Sequence, residues 1–320
     1  MTQTNTRAML QTAFLTAIVV VLFLLGSTVP FLGFLGTIVA PATLGFIGVR
    51  WGGRYAILGG ILSLLLLGGI FGMWATSMVA IPFVFLGIAS GVILHLKWSY
   101  GRQIVIPALA FMVGMGVTVG LSMAIMNVNM VDTFQNLSAQ VQDEMVQTYS
   151  QMGLEPAQQS AMISQVKQSF DFIKGAFLAF GFAIASFYAY LVRVITGWGM
   201  KRFGFGPLPF LPVGQWQMPK WSAYLLILGW IGQYWGSKYS LDALAWVVPN
   251  LVILGAALCL VQGIASFWYV LGLYRLDPKL RILALIIIGT FMSQGLIILG
   301  LVDILFDLRR RLYARMNNRR

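Results

Sequence analysis

The residues of this chain that could do chemistry are a few ionisable side chains beside long apolar segments. Asp171 and Lys174 lie three positions apart, so on a helix they would share one face and could pair. Ionisable groups at membrane depth are costly, and they often belong to ligand or ion pathways. This spacing predicts either a ligand-contacting charge pair at the mouth of a cleft or an interfacial ion pair at the end of a helix.

The other acidic residues near apolar segments favour structural roles. Asp303 and Asp307 stand one helical turn apart, directly before the arginines at 309–311, which can neutralise them. The sequence has no carboxylate in the middle of an apolar segment, where a proton-driven carrier would need one. We therefore do not expect proton-coupled transport.

The chain lacks the residue patterns of an enzyme or a metal site. It has one cysteine, Cys259, and one histidine, His95, so it can form no internal disulfide and no multi-cysteine zinc site. His95 stands at the end of an apolar segment, which predicts an interfacial side chain. The Walker, HExxH, GxSxG and CxxC motifs are missing. We expect a protein that is not an enzyme and needs no cofactor or metal.

The elements that must position these residues are membrane-spanning helices. Hydrophobic residues make up 59% of the 320 and charged residues 9%, and the mean hydropathy is +0.84, far above that of soluble globular chains. A helix needs about 20 apolar residues to cross a hydrocarbon core of roughly 30 Å. The apolar runs are long and do not alternate as barrel strands do. The predicted fold class is therefore an all-α polytopic transmembrane bundle.

Nine apolar segments approach the length of a membrane span. They cover 9–26, 31–49, 55–72, 77–94, 104–126, 169–195, 222–237, 244–272 and 281–305. Eight spans are favoured over nine, because nine would place the arginine-rich tail outside, against the positive-inside rule. The weakest segment is 222–237, which is short and contains Gln233 and Gly236. We expect it to be re-entrant or to lie on the membrane surface.

The basic residues fit one orientation in a bacterial cytoplasmic membrane. With a cytoplasmic N-terminus, the loops that contain Arg50, Arg54 and Lys97 face inward, as the positive-inside rule requires. The net charge of +12 is then explained by topology and does not require nucleic acid. The partner expected for the basic tail, 306–320, is the lipid bilayer.

The polar segment 127–168 interrupts the apolar pattern after the fifth apolar segment. Its apolar side chains recur every three or four positions on each side of Gly153 and Pro156, as one face of a helix requires. They are Phe134, Leu137, Val141, Met145, Tyr149, Met152, Met162, Ile163, Val166 and Phe170. We predict an extracytoplasmic helical hairpin whose two apolar faces either pack on each other or contact a cavity, the membrane surface or a partner.

A proline-rich segment, 201–221, follows the sixth apolar segment; we call it the strap. Its prolines prevent a continuous helix, and Trp216 and Trp221 are typical of the headgroup boundary. The strap is either a docking segment for a partner, with these two tryptophans as contacts, or a rigid connector along the membrane surface. The remainder of the chain is a C-terminal transmembrane extension, 222–305, and the basic tail.

Two family resemblances rest on these features. The hairpin after the fifth span, the P-x-P-x-x-P and W-x-x-P-x-W patterns of the strap and the further hydrophobic block together resemble the YybS-like family of bacterial multi-pass proteins. The block formed by 1–126 and 169–200 more distantly resembles the substrate-binding S components of energy-coupling factor transporters. It has six helices and an AxxxA pattern, Ala13 to Ala17, which in that family contacts the transmembrane coupling subunit.

The S-component resemblance also implies a ligand site near the outer face. The corresponding positions offer aromatic, hydroxyl, amide and charged groups that would suit a small polar ligand. These candidates are Ser27, Thr28, Trp74, Ser77, Asn127, Asn129, Asp171 and Lys174. This chain departs from the family in having a short loop after the first helix, where the family has a lid, and in having the C-terminal extension. The hairpin would replace the lid.

Two functions fit this sequence. The first is a small-molecule binding and uptake component that acts with a coupling subunit and its ATPases. The second is a scaffold for an envelope, division or sporulation complex, because fold does not dictate function. An Asp171–Lys174 pair facing a cavity would favour the first function, and an open apolar stripe on the hairpin would favour the second. The sequence leaves the ligand, the partner and the oligomeric state open.

Overall fold

The helical class predicted from the sequence is confirmed by a computed structural model. It describes residues 2–126, 130–151, 155–206, 208–209, 211–239 and 244–317, and none of these residues forms a β-strand. The chain divides into two compact units. The N-terminal unit is Met1–Glu144 with Ile184–Pro209, and the C-terminal unit is Met145–Ala183 with Phe210–Arg320.

The described residues form twelve α-helices. The first are α1 Thr2–Thr28, α2 Ala40–Trp51 after a π-helical turn at Leu35–Val39, α3 Gly53–His95, α4 Arg102–Met126 and α5 Met130–Gln151. The later ones are α6 Pro156–Gly175, α7 Phe177–Arg202, α8 Trp221–Tyr239, α9 Val247–Leu273, α10 Pro278–Phe291, α11 Ser293–Phe306 and α12 Leu308–Asn317. The chain passes from one unit to the other within α5, within α7 and again after Pro209.

Several helices are long and apolar enough to cross a bilayer. Those that qualify singly within the described residues are Thr6–Thr28, Gly53–Gly72, Arg102–Ile125, Phe177–Arg202 and Val247–Leu273. The pair α10 and α11 qualifies only as a unit, and it is bent by 107°. The predicted segments 31–49 and 77–94 form shorter apolar helices, Leu35–Trp51 and Ala80–His95. The structure therefore has five or six candidate spans.

The predicted segments 55–72 and 77–94 belong to one helical run, α3, which is broken at Gly72. This glycine has φ +82° and ψ +160°, a conformation that residues with a side chain rarely adopt. The break separates the candidate span Gly53–Gly72 from the shorter helix that ends at His95.

The helix α6, the second helix of the predicted hairpin, runs past the predicted boundary at 168 and ends at Gly175. Asn250 of α9 fixes this end, because its Nδ2 donates to the Gly175 carbonyl oxygen and its Oδ1 accepts from the Ala179 amide at 2.9 Å. An added Cβ on Gly175 would lie 2.6 Å from the Ala245 carbonyl oxygen, so only glycine allows this approach. The predicted span 169–195 consequently begins later, with α7.

The predicted span 281–305 is divided between α10 and α11. At Met292 the backbone has φ −136° and ψ +38°, and α11 leaves at 107° to α10. We attribute the bend to the fit of α11 against α9 at Gly263 and Gly300. The backbones approach so closely there that a Cβ on Gly300 would overlap the Cys259 carbonyl oxygen.

The core of the N-terminal unit lies where α1, α2 and α3 pack together. Its buried apolar side chains include Val19, Val20, Phe23, Leu44, Ile47, Leu67 and Val84. Small residues allow the helices to approach: a Cβ on Gly48 would lie 2.6 Å from the Gly91 Cα. By contrast, Gly116 and Gly120 of α4 form a GxxxG pair with nothing within 4 Å of their Cβ positions.

Candidate functional site

The candidate ligand residues at the end of α1 are hydrogen-bonded within α1 itself. The Ser27 hydroxyl can donate to the Phe23 or the Leu24 carbonyl oxygen, at 2.9 and 3.0 Å, and the Thr28 hydroxyl donates to the Leu24 carbonyl oxygen at 2.7 Å. Hydroxyl side chains in helices often form such bonds to the preceding turn. A ligand at this position could use only the remaining acceptor capacity of the two oxygens.

Four of the candidate ligand residues lie outside the part of the chain that the structure describes. They are Asn127 and Asn129, together with the side chains of Trp74 and Ser77. The backbone at 74 and 77 belongs to α3, just beyond the break at Gly72. The role of these four residues in a ligand site stays a prediction.

Asp171 and Lys174 lie near the end of α6, in the C-terminal unit. Asp171 is exposed and Lys174 is half-buried. Within the described residues no ion pair joins them; the ion pair found in this part of the chain is between Asp303 and Arg309. The predicted pairing is therefore not formed in this structure, and contact with a ligand stays a prediction.

The apolar stripe predicted on the hairpin is partly open. Leu137 is 52% exposed and Met162 is 42% exposed, whereas Val141 and Tyr149 are half-buried. The side chain of Phe134 and all of Met152 lie outside the described residues. The exposed positions are those that a partner or a membrane surface could cover.

The candidate partner contacts fall on two elements. Ala13 and Ala17 lie on the exposed face of α1. In the strap, Trp221 is 54% exposed, whereas Trp216 is half-buried and its Nε1 donates to the Leu211 carbonyl oxygen at 3.0 Å. Trp216 therefore contributes to the shape of the strap, and Trp221 presents the larger open surface.

The single histidine and the single cysteine both occupy structural positions. His95 Nδ1 lies 3.0 Å from the Val49 carbonyl oxygen, which joins the ends of α3 and α2. Cys259 is fully buried in α9 and is not in a disulfide. The interfacial position predicted for His95 stays a prediction.

A buried arginine in α7 was not among the predicted site residues. Arg193 is 2% exposed. Its Nε donates to Gln103 Oε1 at 2.7 Å, its Nη2 donates to the Pro209 carbonyl oxygen, and its guanidinium carbon lies 4.1 Å from the centre of the Tyr100 ring. Gln103 is fixed in turn, because its Nε2 donates to the Trp98 carbonyl oxygen at 2.7 Å. Neutral acceptors and an aromatic face thus hold this charge.

The Tyr100 ring is suited to this contact. Burial raises the pKa of the Tyr100 phenol, and the positive Arg193 guanidinium offsets part of that rise. The phenol therefore stays neutral at ordinary pH and presents a π face to the cation. We call Arg193, Gln103, Tyr100 and the Pro209 carbonyl the Arg193 network.

A second buried network surrounds Asp303 in α11. Asp303 is 2% exposed, and its Oδ2 lies 2.8 Å from Nε of Arg309. The same oxygen accepts from Gln262 Nε2 at 2.6 Å and from Ser266 Oγ at 2.5 Å, while Oδ1 accepts from the Arg309 amide at 3.1 Å. The prediction that a neighbouring arginine neutralises Asp303 is confirmed. We call these four residues the Asp303 network.

The Asp303 network also holds the strap by its backbone. Arg309 Nη1 and Nη2 donate to the carbonyl oxygens of Gly214 and Trp216, each at 2.8 Å. Gln262 Oε1 accepts from the Met218 amide at 2.8 Å. Backbone polar groups outside regular structure need such partners when water is excluded. This part of the strap is therefore fixed although it is mostly irregular.

The fixed part of the strap has an inner and an outer side. Its backbone is extended at Pro212 (φ −56°, ψ +142°) and at Trp216 (φ −63°, ψ +132°), on either side of a short 3-10 turn. The exposed residues are Pro212, Gln215, Gln217, Pro219 and Lys220, and the half-buried ones are Val213, Gly214, Trp216 and Met218. The strap therefore presents a preformed extended edge.

These two networks are suited to holding backbone in place. In the described part of the chain, no group of three or more His, Cys, Asp or Glu side chains could bind a metal ion. Buried polar networks whose members are hydrogen-bonded stiffen the segments that they join. The Arg193 network does this for the segment at Pro209, and the Asp303 network does it for the stretch from Gly214 to Met218.

A family model matches residues 17–304, a range that contains Arg193, Gln262 and Asp303. The chain belongs to the family described as Predicted membrane protein (DUF2232). The description gives a membrane location and no activity. No curated protein and no solved structure matches the chain. The YybS-like and S-component resemblances stay predictions.

Sequence reasoning missed Arg193 and Gln262, which belong to the networks, and Asn250, which fixes the end of α6. A signal existed for each of them, because a charged or amide side chain in an apolar helix needs a hydrogen-bond partner. The identity of the partner was not readable. Gln103 and Pro209 reach Arg193 only through the packing of separate segments.

Proposed function

We propose that this protein is a membrane scaffold, without catalytic activity, whose strap docks a protein of an envelope, division or sporulation complex. One observation carries the proposal: the side chains of Arg309 and of the buried Gln262 bond the strap backbone at Gly214, Trp216 and Met218. A segment held in this way keeps its shape before a partner arrives. Preorganisation raises affinity, because less conformational entropy is lost on binding.

The chemistry of the outer edge indicates the kind of partner. Pro212, Gln215, Gln217 and Pro219 are exposed along an extended, proline-containing backbone. Extended proline-rich segments dock into grooves lined with aromatic side chains, and their low flexibility favours binding. We infer a protein partner with such a groove.

The orientation that we propose puts the strap in the bacterial cytoplasm. The strap contains Lys201 and Arg202 at its start and Lys220 near its end, and the positive-inside rule favours the cytoplasm for such loops. The N-terminus then faces the cytoplasm as well, and the hairpin of α5 and α6 lies on the opposite side of the membrane. An even number of crossings before the strap satisfies this orientation.

The test is site-specific photo-crosslinking in the native host. A photoreactive amino acid replaces Gln215 or Gln217 of the outer edge or, as a control, Leu65 of α3, which is 67% exposed in an apolar span. We expect the same protein adduct from both strap positions and only lipid adducts from Leu65. Arg309→Gln should weaken the adduct, because it frees the strap. If neither strap position gives a protein adduct, the strap is not a docking surface.

A second candidate function is small-molecule uptake with a coupling subunit and its ATPases. What supports it is the exposed position of Ala13 and Ala17 on α1, because small residues let a second helix approach closely in lipid. Native mass spectrometry of the gently extracted protein tests this function. A stoichiometric small ligand, or a coupling subunit that Ala13→Leu and Ala17→Leu displace, would support uptake. An unliganded protein that retains only envelope or division proteins would contradict it.

A further inference from the structure

The helices α10 and α11 are each too short to cross a bilayer. Each has 14 residues. At about 1.5 Å per residue this gives roughly 21 Å, against a hydrocarbon core of about 30 Å. In line, the two helices would be long enough for one crossing, but they are bent by 107° at Met292. Because the bend exceeds 90°, α11 does not continue in the direction of α10, and the pair reaches no deeper into the bilayer than α10 alone.

The start of this pair lies beside the strap. Arg281, in the first turn of α10, donates from Nε to the Leu276 carbonyl oxygen at 2.8 Å, and its guanidinium carbon lies 5.6 Å from the centre of the Trp268 ring. The strap packs against the same ring, since a Cβ on Gly214 would lie 3.4 Å from Trp268 Cδ1. The chain therefore enters α10 at the level of the strap.

The end of the pair lies beside the strap as well. Arg309, just past α11, donates to the carbonyl oxygens of Gly214 and Trp216. Both residues precede α8, which runs away from the strap and ends at Tyr239. A pair that crossed the bilayer would bring α12 toward Tyr239 and the start of α9. Both ends of the pair are instead at the strap.

The segments at these two ends expose positive charge. The exposed basic residues are Arg275 and Lys279 around the loop 274–277, Arg310 and Arg311 in α12, and Lys220 in the strap. Asp307 has φ +50° and ψ +50°, a left-handed conformation that ends α11 and turns the chain into α12. In α12 the half-buried Leu308 and Leu312 alternate with the exposed arginines, as in helices that lie in the membrane interface.

We propose that α10 and α11 form a re-entrant pair. The pair places α12 and the loop 274–277 on the same side of the membrane as the strap. There both segments bind anionic phospholipid headgroups. Charge decides the occupant, because exposed lysines and arginines beside a membrane attract anionic lipids. With α8 and α9 as crossing helices, the strap, the loop and the tail share one side of the membrane. This inference does not depend on a protein partner for the strap.

Cysteine accessibility tests the topology. In a Cys259→Ser background, single cysteines replace the exposed Lys220, Lys279, Arg310 or, as a control beyond α7, Lys167 of α6. An impermeant maleimide is applied to intact cells and then to opened membranes. We expect the first three positions to label together from one side and Lys167→Cys to label from the other. If Arg310→Cys labels from the side opposite to Lys279→Cys, the pair crosses the membrane and the inference is wrong.

Lipid titration followed by native mass spectrometry tests the ligand. The probes are phosphatidylglycerol and phosphatidylcholine, added to the full-length protein in detergent. The double variant Arg310→Gln, Arg311→Gln should lose about 25-fold in affinity for phosphatidylglycerol, about fivefold per arginine, with phosphatidylcholine binding unchanged. Lys238→Gln, an exposed lysine at the far end of α8, is the matched control. An equal loss in the double variant and the control would overturn the lipid assignment even if the labelling supports the topology.

Discussion

The two units hold an arginine side chain in different ways. In the N-terminal unit, Arg193 is held by an amide oxygen, a backbone carbonyl oxygen and the face of Tyr100. In the C-terminal unit, Arg309 pairs with the carboxylate of Asp303 and also reaches two strap carbonyl oxygens. The first arrangement keeps a positive charge among neutral groups, whereas the second is neutral overall. Both arginines donate to backbone carbonyl oxygens of the strap, but only Arg309 has a carboxylate partner, Asp303. The comparison indicates that holding the strap backbone is the feature common to the two networks and that an ion pair is not.

The largest expected effect is the loss of one member of the ion pair. Arg309→Ala leaves the Asp303 carboxylate buried without its cation and frees the strap carbonyls of Gly214 and Trp216. We expect a loss of about 3–5 kcal/mol in the free energy of unfolding, because an uncompensated buried charge is strongly destabilising. Unfolding in mixed micelles titrated with dodecyl sulfate measures it. A loss below about 1 kcal/mol would mean that water already solvates Asp303.

A smaller effect is expected at the neutral network. Arg193→Met removes the cation and leaves the acceptors on Gln103 and Pro209 unpaired, which costs about 1–3 kcal/mol. Arg193→Lys keeps the charge but cannot form both bonds at once, so it should recover only part of the loss. If Arg193→Met costs as much as Arg309→Ala in the same assay, the two networks are not energetically different and the comparison fails.

Removing the ion pair as a whole should cost less than breaking it. The double variant Asp303→Leu, Arg309→Met replaces both charges by apolar side chains, which is often close to neutral for a buried pair. We expect it to be more stable than Arg309→Ala by about 2 kcal/mol, with the remaining loss caused by the unbonded strap and the unpaired Gln262. A double-mutant cycle gives the coupling energy, and a coupling near zero would show that the two charges do not interact.

The smallest effect is expected at the pair of charges that the structure leaves apart. Asp171→Asn and Lys174→Gln should each change the free energy of unfolding by less than about 0.5 kcal/mol, as is usual for surface substitutions. Native mass spectrometry of these variants also separates the scaffold from the uptake component. Loss of a bound small molecule would favour uptake. A stability change above 1 kcal/mol would show an ion pair that forms outside this conformation.

The sequence predicted features that depend on local spacing, and it failed where partners are distant. The neutralisation of Asp303 was predictable because its arginine lies six residues away in the same segment of chain. Arg193 and Asn250 have their partners in other helices and loops, which no spacing reveals. The bend at Met292 was hidden for another reason: both halves of 281–305 are apolar, and the close approach of α9 to α11 that favours the bend depends on tertiary packing.

The buried position of Cys259 means that the reactivity of its thiol reports on opening of the C-terminal unit. Its side chain is fully buried among residues of α8, α9 and α11, and no disulfide occupies it. A membrane-permeant thiol reagent can therefore reach the sulfur only when these helices separate. The modification rate in native membranes consequently measures how often this unit opens, in the way that hydrogen exchange measures local unfolding. Release of the strap should be visible as faster reaction of this thiol, without purification.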